Sequence, residues 1–134
     1  MGSKDTCCRT MTEACRSAGL SYETLKFYCR QGLVPKLNRD ARSRRVFTEE
    51  DLLWLSRLKN LRACGFSLAE IRGYLLCGLE GEKGAKKRKA ALERQKACIE
   101  EQMRKLRSCL DFIQEEGTRL EALPSAGLEP FKKE

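Results

Sequence analysis

Residues 11–35, MTEACRSAGLSYETLKFYCRQGLVP, decide the fold that we predict for this chain. Thr12 is a candidate N-cap for a short helix over 13–18, and Ser21 is a candidate N-cap for a second helix over 22–31. A glycine follows each segment, as is common where a helix ends. Two short helices joined by a tight turn predict a helix-turn-helix.

The sequence up to residue 77 extends this unit. A proline prevents the second helix from continuing, so 33–47 is predicted to form a loop with a short β-ribbon. Thr48 and Ser67 each precede an acidic residue at the third helical position, which predicts two further capped helices. Residues 11–77 therefore form one predicted domain with a second helix pair.

The densest positive charge in the chain lies within 36–45, where five basic side chains accompany one acid, Asp40. The five are Lys36, Arg39, Arg42, Arg44 and Arg45. The whole chain has 27 Lys and Arg against 19 Asp and Glu, a net charge of +8. Clustered like charges repel one another without a counter-anion, so the cluster indicates a polyanionic partner. For any one arginine taken alone, a solvated surface position explains the charge equally well.

Composition excludes several classes of protein. No stretch is long and apolar enough for a transmembrane helix, and the N-terminus lacks the apolar region of a secretory signal. We therefore expect a cytoplasmic protein with no membrane partner. The chain has no histidine and no C-x2-C pair, so we expect no catalytic residue, no metal site and no cofactor. An enzyme with a cysteine nucleophile is the rival hypothesis, but no residue constellation supports it.

Residues 85–123 contain a heptad repeat that proline does not interrupt. A glycine-rich linker is predicted before it at 78–84, and a short tail after it at 124–134. A single helix cannot bury such an apolar stripe by itself, so a partner helix is expected. The predicted dimer interface consists of Leu92, Ile99, Met103, Leu106, Leu110 and Ile113. A helix that folds back onto its own domain is the alternative.

The order of these segments resembles the mercury-resistance-type (MerR) family of bacterial transcription regulators. The matching blocks are 11–21, 24–28, 32–35, 45–48 and 61–71, and the heptad helix follows them. The resemblance implies a mainly α fold, with a winged helix-turn-helix DNA-binding domain followed by a long dimerisation helix in an antiparallel coiled coil. Where the family's wing carries Gly, an aromatic residue and Arg, this chain has Ser43, Arg44 and Arg45, so an aromatic side chain is lost and a charge gained.

The resemblance further implies a sequence-specific, homodimeric transcription regulator. It would bind double-stranded promoter DNA and, in response to an effector, distort it so that RNA polymerase engages the promoter. The second helix would meet base edges, and the wing would contact phosphates. The expected DNA-binding residues are Tyr22, Glu23, Thr24, Lys26, Tyr28, Arg39, Arg42, Arg44, Arg45 and Arg62. An effector-independent repressor or architectural protein of the same fold is the alternative.

Two of the eight cysteines are candidate thiol sensors. Cys29 lies on the predicted recognition helix beside Arg30, and a neighbouring cation favours the reactive thiolate. Cys109 borders the predicted dimer seam. Three others are interpreted as core fillers, because the family carries aliphatic or alanine residues there: Cys15, Cys64 and Cys77. Incidental exposed thiols remain the alternative, and the cysteine pattern of the family's metal sensors is missing.

Overall fold

A computed structural model describes residues 8–35 and 38–123. The elements are α1 (Met11–Ala18), α2 (Tyr22–Arg30), β1 (Asn38–Arg39), β2 (Arg45–Val46), α3 (Glu49–Ala63), α4 (Leu68–Cys77) and α5 (Gly81–Glu121). The chain divides into two compact units, residues 1–95 (unit 1) and 96–134 (unit 2). Lys36 and the predicted tail over 124–134 lie outside the described residues.

The start of α1 differs from the prediction. Thr10, not Thr12, is the N-cap: its hydroxyl accepts from the Glu13 N–H at 3.1 Å, and the Glu13 carboxylate accepts from the Thr10 N–H at 2.9 Å. This reciprocal pair satisfies two N–H groups that the helix itself leaves free. Thr12 cannot form such a pair, because Cys15 lies three residues after it. The helix therefore begins at Met11.

The predicted starts of the next three helices are confirmed. The N-caps of α2, α3 and α4 are Ser21, Thr48 and Ser67. The last two form reciprocal capping boxes, with Asp51 and Glu70 respectively. Helix α2 ends at Arg30, one residue before the predicted end. Since α1 and α2 pack against each other across the turn at Gly19, where φ is 70°, the helix-turn-helix is also confirmed.

The predicted ribbon is present and gains a third segment. Strands β1 and β2 pair antiparallel, with Asn38 opposite Val46 and Arg39 opposite Arg45. Arg9 forms an isolated bridge with Phe47, and both of its backbone hydrogen bonds measure 2.8 Å. The segment before α1 therefore ties the base of the ribbon to the helices.

The hydrophobic core lies among α1 to α4 and the base of the ribbon. It contains fourteen buried apolar side chains, and none of the described polar or charged residues is buried. The largest fully buried side chains are Phe47, Leu25, Leu33, Leu55, Leu58 and Ile71. The indole N–H of Trp54 donates to the Leu33 carbonyl at 2.7 Å. This bond attaches the connection between α2 and the ribbon to α3.

The predicted linker at 78–84 is wrong in its second half, because α5 begins at Gly81 and not at residue 85. Gly84 is helical and buried, and a Cβ atom there would overlap the Cys77 carbonyl. The glycine is needed for close packing of α5 against the end of α4, not for flexibility. Compact unit 1 accordingly continues along α5 to Gln95.

The described part of unit 2 consists of α5 from residue 96 to its end and two further residues. Most of its large apolar side chains are exposed, with Leu106 and Ile113 each 64% accessible, whereas Ile99 is half-buried. None of the helices in the described ranges has an 18-residue stretch apolar enough to cross a membrane. The apolar stripe is therefore not covered by any other part of this unit that the structure describes.

Candidate nucleic-acid interface

Helix α2 presents one face to the core and the other to solvent. Leu25 and Tyr28 are buried, whereas Tyr22, Glu23 and Lys26 are exposed. The phenol ring of Tyr28 packs in the core, and no described residue bonds its hydroxyl. The exposed side chains offer a carboxylate, an ammonium group and a phenol to a ligand. They belong to the face that the sequence predicts to meet base edges, and that role stays a prediction.

Thr24 has a structural role that its predicted place at the interface does not include. Its hydroxyl accepts from the Ser21 hydroxyl at 2.8 Å, and its backbone N–H donates to the same Ser21 oxygen at 3.1 Å. The Thr24 side chain is half-buried. It therefore completes the N-cap of α2 and fixes where the exposed first turn begins.

Phe27 belongs to this surface and was not predicted. It is 36% exposed and lies four residues after Glu23, a spacing that places both on one helix face. A shallow groove of about 280 Å³ is lined by Glu23, Thr24, Phe27, Tyr28, Arg62 and Leu68. Arg62 also donates to the Phe66 carbonyl at 2.9 Å, which holds its guanidinium group close to the chain. The structure thus brings Arg62 beside the exposed face of α2. The spacing of four residues between Glu23 and Phe27 was the sequence signal that could have identified Phe27 as part of this surface.

Asp40 organises the turn of the ribbon. Its Oδ1 atom accepts from the N–H groups of Arg42 at 2.9 Å and Arg44 at 3.0 Å, and its Oδ2 atom accepts from Arg44 Nε at 3.2 Å. The backbone hydrogen bond from Arg44 is the main cause that lowers the pKa of Asp40. Asp40 looked in the sequence like a lone exception among cations. In the structure it holds their backbone in place.

Ser43 stands where the family's wing carries glycine, and its backbone adopts a conformation that favours glycine. Its φ is 61°, in the left-handed region that glycine adopts freely. Its carbonyl accepts from the Arg39 guanidinium at 2.7 Å. The turn is therefore formed by a residue that is strained in this conformation and is held by its neighbours.

The ribbon arginines differ in how they are held. Arg39 and Arg44 are exposed but bonded within the ribbon, and Arg45 is half-buried. Arg42 is exposed, and no side-chain partner for it occurs within 8–35 or 38–123. Arg42 is thus the ribbon cation with the most freedom to meet an anion.

A second groove joins the ribbon to both helices of the helix-turn-helix. Its volume is about 410 Å³, and it is lined by Thr10, Met11, Thr12, Tyr22, Arg39, Asp40, Arg44 and Arg45. The first turn of α1 forms one wall, and helix N-termini favour anions. Three guanidinium groups line the same space. The chemistry of this groove suits a phosphate group.

Two cations that the sequence left unassigned hold the scaffold. Lys59 Nζ donates to the carbonyls of Ala18 and Gly19, at 3.3 Å each. The Arg72 guanidinium donates twice to the Gln31 carbonyl, at 3.0 and 2.8 Å. These bonds satisfy carbonyl groups at the ends of α1 and α2. Isolated charges give no sequence signal that separates this role from simple solvation.

The environment of Cys29 contradicts the assumption behind its prediction as a reactive thiol. The side chain is half-buried, and burial raises its pKa. Arg45 lowers the pKa, Cys15 raises it, and Arg39 lowers it, so the cations that act on Cys29 come from the ribbon and not from Arg30. The balance is a pKa above the ordinary value, which disfavours the thiolate.

The other thiols divide between core and surface. Cys15 is buried, as predicted, and burial raises its pKa. Cys64 is exposed, so its interpretation as a core filler is wrong: it caps the end of α3, and its carbonyl accepts from Gln95 Nε2 at 2.7 Å. Cys77 is half-buried, and Cys109 is exposed. In the described part of the chain, no three Cys, Asp or Glu residues are grouped as a metal site would need.

Two protein families match this chain. Residues 9–76 match the family described as "MerR HTH family regulatory protein", and residues 52–115 match "MerR, DNA binding". Together the matches run from the segment before α1 into the second half of α5. They cover both grooves.

Similar proteins cover most of the chain. An uncharacterized HTH-type transcriptional regulator of Haemophilus influenzae is 34% identical over 105 residues, 78% of each chain. The regulator AdhR of Bacillus subtilis is 32% identical over 88 residues, 64% of this chain and 63% of that one. The crystal structure of HiNmlR, a MerR family regulator lacking the sensor domain and bound to promoter DNA, has a TM-score of 0.70 at 32% identity, covering 87% of this chain and 95% of that one. A putative MerR family regulator from Listeria monocytogenes has a TM-score of 0.71 at 26% identity, covering 84% and 86%.

Proposed function

We propose, from the premise that the chain belongs to the MerR family of transcriptional regulators, that it binds double-stranded promoter DNA as a homodimer and acts by distorting that DNA. The family comprises DNA-binding regulators and not enzymes. One observation carries the proposal: the 410 Å³ groove combines the start of α2, the N-terminus of α1 and three ribbon arginines. HiNmlR, similar over most of its length, was crystallised on promoter DNA, which supports this assignment.

Base recognition is assigned to the exposed face of α2. A helix of this length fits the major groove, where base edges differ from one pair to the next. Glu23 would accept from a cytosine amino group, Lys26 would donate to guanine, and Phe27 would contact a thymine methyl group. Tyr22 would lie at the edge of this contact surface. Thr24 and Tyr28 would support the helix and would not themselves contact bases.

Phosphate binding is assigned to the arginines around α2. Arg39, Arg44 and Arg45 line the groove at the start of α1, and Arg62 lies in the smaller groove across α2. Because Arg39 and Arg44 are held by ribbon bonds, they would lose little side-chain entropy on binding. Arg42 would order only when it meets a phosphate. These contacts set affinity and register and leave base choice to α2.

The dimer is assigned to the apolar stripe of α5, because exposed stripes of this kind need a partner helix. Its residues are Leu92, Ile99, Met103, Leu106, Leu110 and Ile113. Two copies would place two recognition helices on the two halves of an inverted repeat. RNA polymerase would be affected only through the promoter, and the activity would take place in the cytoplasm, where bacterial promoters lie.

Regulation by a thiol is the finer part of the proposal. Cys109 is exposed, whereas the pKa of Cys29 is raised by burial, so Cys109 is the stronger sensor of the two. A promoter assay with an added electrophile, comparing the wild type with Cys109→Ser, Cys29→Ser and the double variant that carries both changes, tests this. Equal responses from the wild type and the double variant would reject both cysteines. No response from the wild type would favour the effector-independent regulator.

The DNA-binding assignment is tested by salt dependence. We would select a duplex from random DNA and measure its Kd at several salt concentrations for the wild type and Arg42→Ala. The slope of log K against log salt should fall by about one unit, equally for selected and unrelated DNA. Arg94→Ala removes an exposed arginine from α5 and should leave the slope unchanged. A change of base preference without a change of slope in Arg42→Ala would contradict the phosphate role.

A further inference from the structure

A cavity of about 590 Å³ lies between α4 and the first part of α5, entirely within unit 1. It is larger than either groove of the candidate nucleic-acid interface. Pockets for small organic ligands measure about 300–1,000 Å³, so this cavity is large enough to hold one. None of the residues that line it belongs to the proposed DNA contact or to the apolar stripe of α5. Neither of those roles accounts for the cavity.

Helix α4 separates this cavity from α2. Leu68 lines the 280 Å³ groove, and Arg72 donates to the Gln31 carbonyl at the end of α2. Glu70 and Gly73 line the cavity and lie on the opposite face of α4, because a helix turns by about 100° per residue. The cavity is therefore separate from the surface that is proposed to contact DNA.

The lining of the cavity has a net positive charge. Lys87, Arg88 and Arg94 contribute cations, and Glu70 contributes the carboxylate. Glu70 accepts from the N-cap N–H of α4 at 2.8 Å, and Lys87 pairs with Glu80 at 3.0 Å. Within 8–35 and 38–123, no hydrogen bond or ion pair engages the Arg94 side chain. Arg94 is therefore available to bind an anion in the cavity.

Arg88 is held in one orientation at the edge of the cavity. Its Nε donates to the Tyr74 carbonyl at 2.8 Å, its Nη2 donates to the Leu75 carbonyl at 3.3 Å, and its guanidinium lies 4.5 Å from the centre of the Tyr74 ring. A Cβ atom at Gly78 would approach Nη2 to 2.6 Å, so this glycine leaves the space that the guanidinium needs. The two carbonyls occupy only part of its N–H donors. A guanidinium ordered in advance loses little entropy when it binds a carboxylate.

The rest of the lining suits a flat apolar group. The rings of Phe66 and Tyr74 meet edge to face with their centres 6.4 Å apart, and Ala90 and Ala91 line the side formed by α5. Gly73 lies inside α4 without a positive φ, and a Cβ atom there would meet nothing within 4 Å. A glycine inside a helix costs stability relative to alanine, and neither backbone conformation nor crowding requires one here. Its effect is to keep part of the cavity open.

We propose that this cavity binds a small aromatic carboxylate, with the carboxylate on Arg94 and Arg88 and the aromatic group against Phe66 and Tyr74. The site adds a ligand to the proposed DNA-binding function and does not depend on that function. Hydrogen bonds from a guanidinium to a carboxylate are charge-assisted and strong. The aromatic group is needed as well, because it removes the apolar lining from water. The combination selects ligands that carry both groups.

Matched small molecules test the ligand class. The Kd of 2-naphthoate for the full chain would be measured by isothermal titration calorimetry, and we expect about 0.1 mM for a ligand of this size. 2-Naphthamide has the same shape without the charge and should bind at least about tenfold more weakly. Acetate has the charge without the rings and should show no measurable binding. Equal affinities for naphthoate and naphthamide would overturn the role of the cations.

Variants of the lining test the location. Arg94→Gln should weaken naphthoate binding about tenfold. Lys86→Gln removes the same charge from an exposed residue of α5 outside the lining and should stay within about twofold of the wild type. Gly73→Leu should abolish binding by filling the cavity. Its melting temperature should equal or exceed that of the wild type, because leucine favours the helix more than glycine does.

The remaining outcomes are decisive for the site. Amide chemical shifts that change on addition of naphthoate only within 66–77 and 87–95 would support it. A wild type that does not bind naphthoate at about ten times the expected Kd would overturn it. Equal losses in Lys86→Gln and Arg94→Gln would show attraction by the general charge of the chain and would also overturn it, as would unchanged binding by Gly73→Leu. Because no DNA is present, failure of the DNA-binding assignment would leave these results unaffected.

Discussion

Leu58 and Leu106 are the same residue type in two helices with regular leucine spacing, yet Leu58 is fully buried and Leu106 is 64% exposed. Leu58 belongs to α3, which buries Leu52, Trp54, Leu55 and Leu61 as well. Leu106 belongs to the part of α5 beyond Gln95, where no described residue is buried. A broad apolar surface on a helix is satisfied within its own unit, whereas a narrow heptad stripe requires a second helix.

The two regions also differ in what surrounds their apolar residues. Around α3, the Trp54 bond to Leu33 and the Lys59 bonds to the end of α1 fix neighbouring segments. Along α5 beyond residue 95, the described ion pairs join residues three apart on one helix, such as Arg104 with Glu101. The core of unit 1 is therefore filled by side chains of the same unit. Unit 2 carries an exposed apolar stripe, which is the surface expected of half an interface.

Removing apolar volume should show the largest difference in stability effect between the two regions. Leu58→Ala should lower the free energy of unfolding of unit 1 by about 3 kcal/mol, because a fully buried leucine leaves a cavity. Leu110→Ala should change it by less than about 0.5 kcal/mol, because that side chain is exposed within one chain. Urea denaturation of both variants in a Leu106→Asp background, which prevents pairing, makes the comparison. Equal losses at both sites would refute the distinction between the regions.

Removing a single hydrogen bond should have a smaller effect. Trp54→Phe leaves the Leu33 carbonyl without its donor and should cost about 1–2 kcal/mol of stability. Tyr74→Phe is the matched control, since its ring stacks on Trp54 and no described residue bonds its hydroxyl. That change should cost less than about 0.5 kcal/mol. The urea unfolding midpoints of the two variants measure both stability losses. Similar losses would argue against a stabilising hydrogen bond from the indole N–H.

Relieving the strain at the tip of the ribbon should give a small gain. Ser43→Gly removes a side chain from a left-handed conformation and should stabilise the ribbon by about 0.5–1 kcal/mol. Ala41→Gly, at a nearby residue without positive φ, should be neutral or slightly destabilising. Amide hydrogen exchange at residues 40–45 measures the effect of each variant on the stability of the ribbon. Faster exchange in Ser43→Gly than in the wild type would contradict the strain argument.

Acid should weaken the ribbon through Asp40. Its pKa is lowered in the folded chain, so the stability it contributes is present above the unfolded pKa of about 4 and is lost as the pH falls through the lower folded value. Asp40→Asn removes the charge at every pH. The melting temperatures of wild type and variant should differ near neutral pH and converge in acid. A constant difference across this range would exclude titration of Asp40 as the cause.

Sequence reasoning succeeded where local signals decide the structure. The helix-turn-helix, the ribbon, three of four predicted N-caps and the family membership are confirmed. Each depends on short-range chemistry, such as Thr48 with Asp51 or a glycine after a helix. The fourth cap was wrong by two residues because Thr10 and Thr12 are both N-cap residue types near the start of α1, and only the position of Glu13 distinguishes them.

What failed depends on contacts distant in sequence. Gly84 looked like part of a linker because its closeness to Cys77 follows from how α4 and α5 pack. Cys29 looked exposed because the burial and the ribbon cations around it arise only on folding. The roles of Arg72 and Lys59 at distant helix ends are equally invisible to spacing rules. The DNA-contact residues and the dimer interface themselves stay predictions.

The central claim is that the core of unit 1 is filled from within, while the apolar stripe of α5 requires a second copy. It is tested most directly by sedimentation equilibrium of Leu106→Asp beside the wild type. A carboxylate buried in the middle of the seam without a partner should cost several kcal/mol. The wild type should sediment at twice the 15.3 kDa mass of the chain, and the variant at 15.3 kDa. Equal masses for the two proteins, whether both single or both double, would contradict the claim.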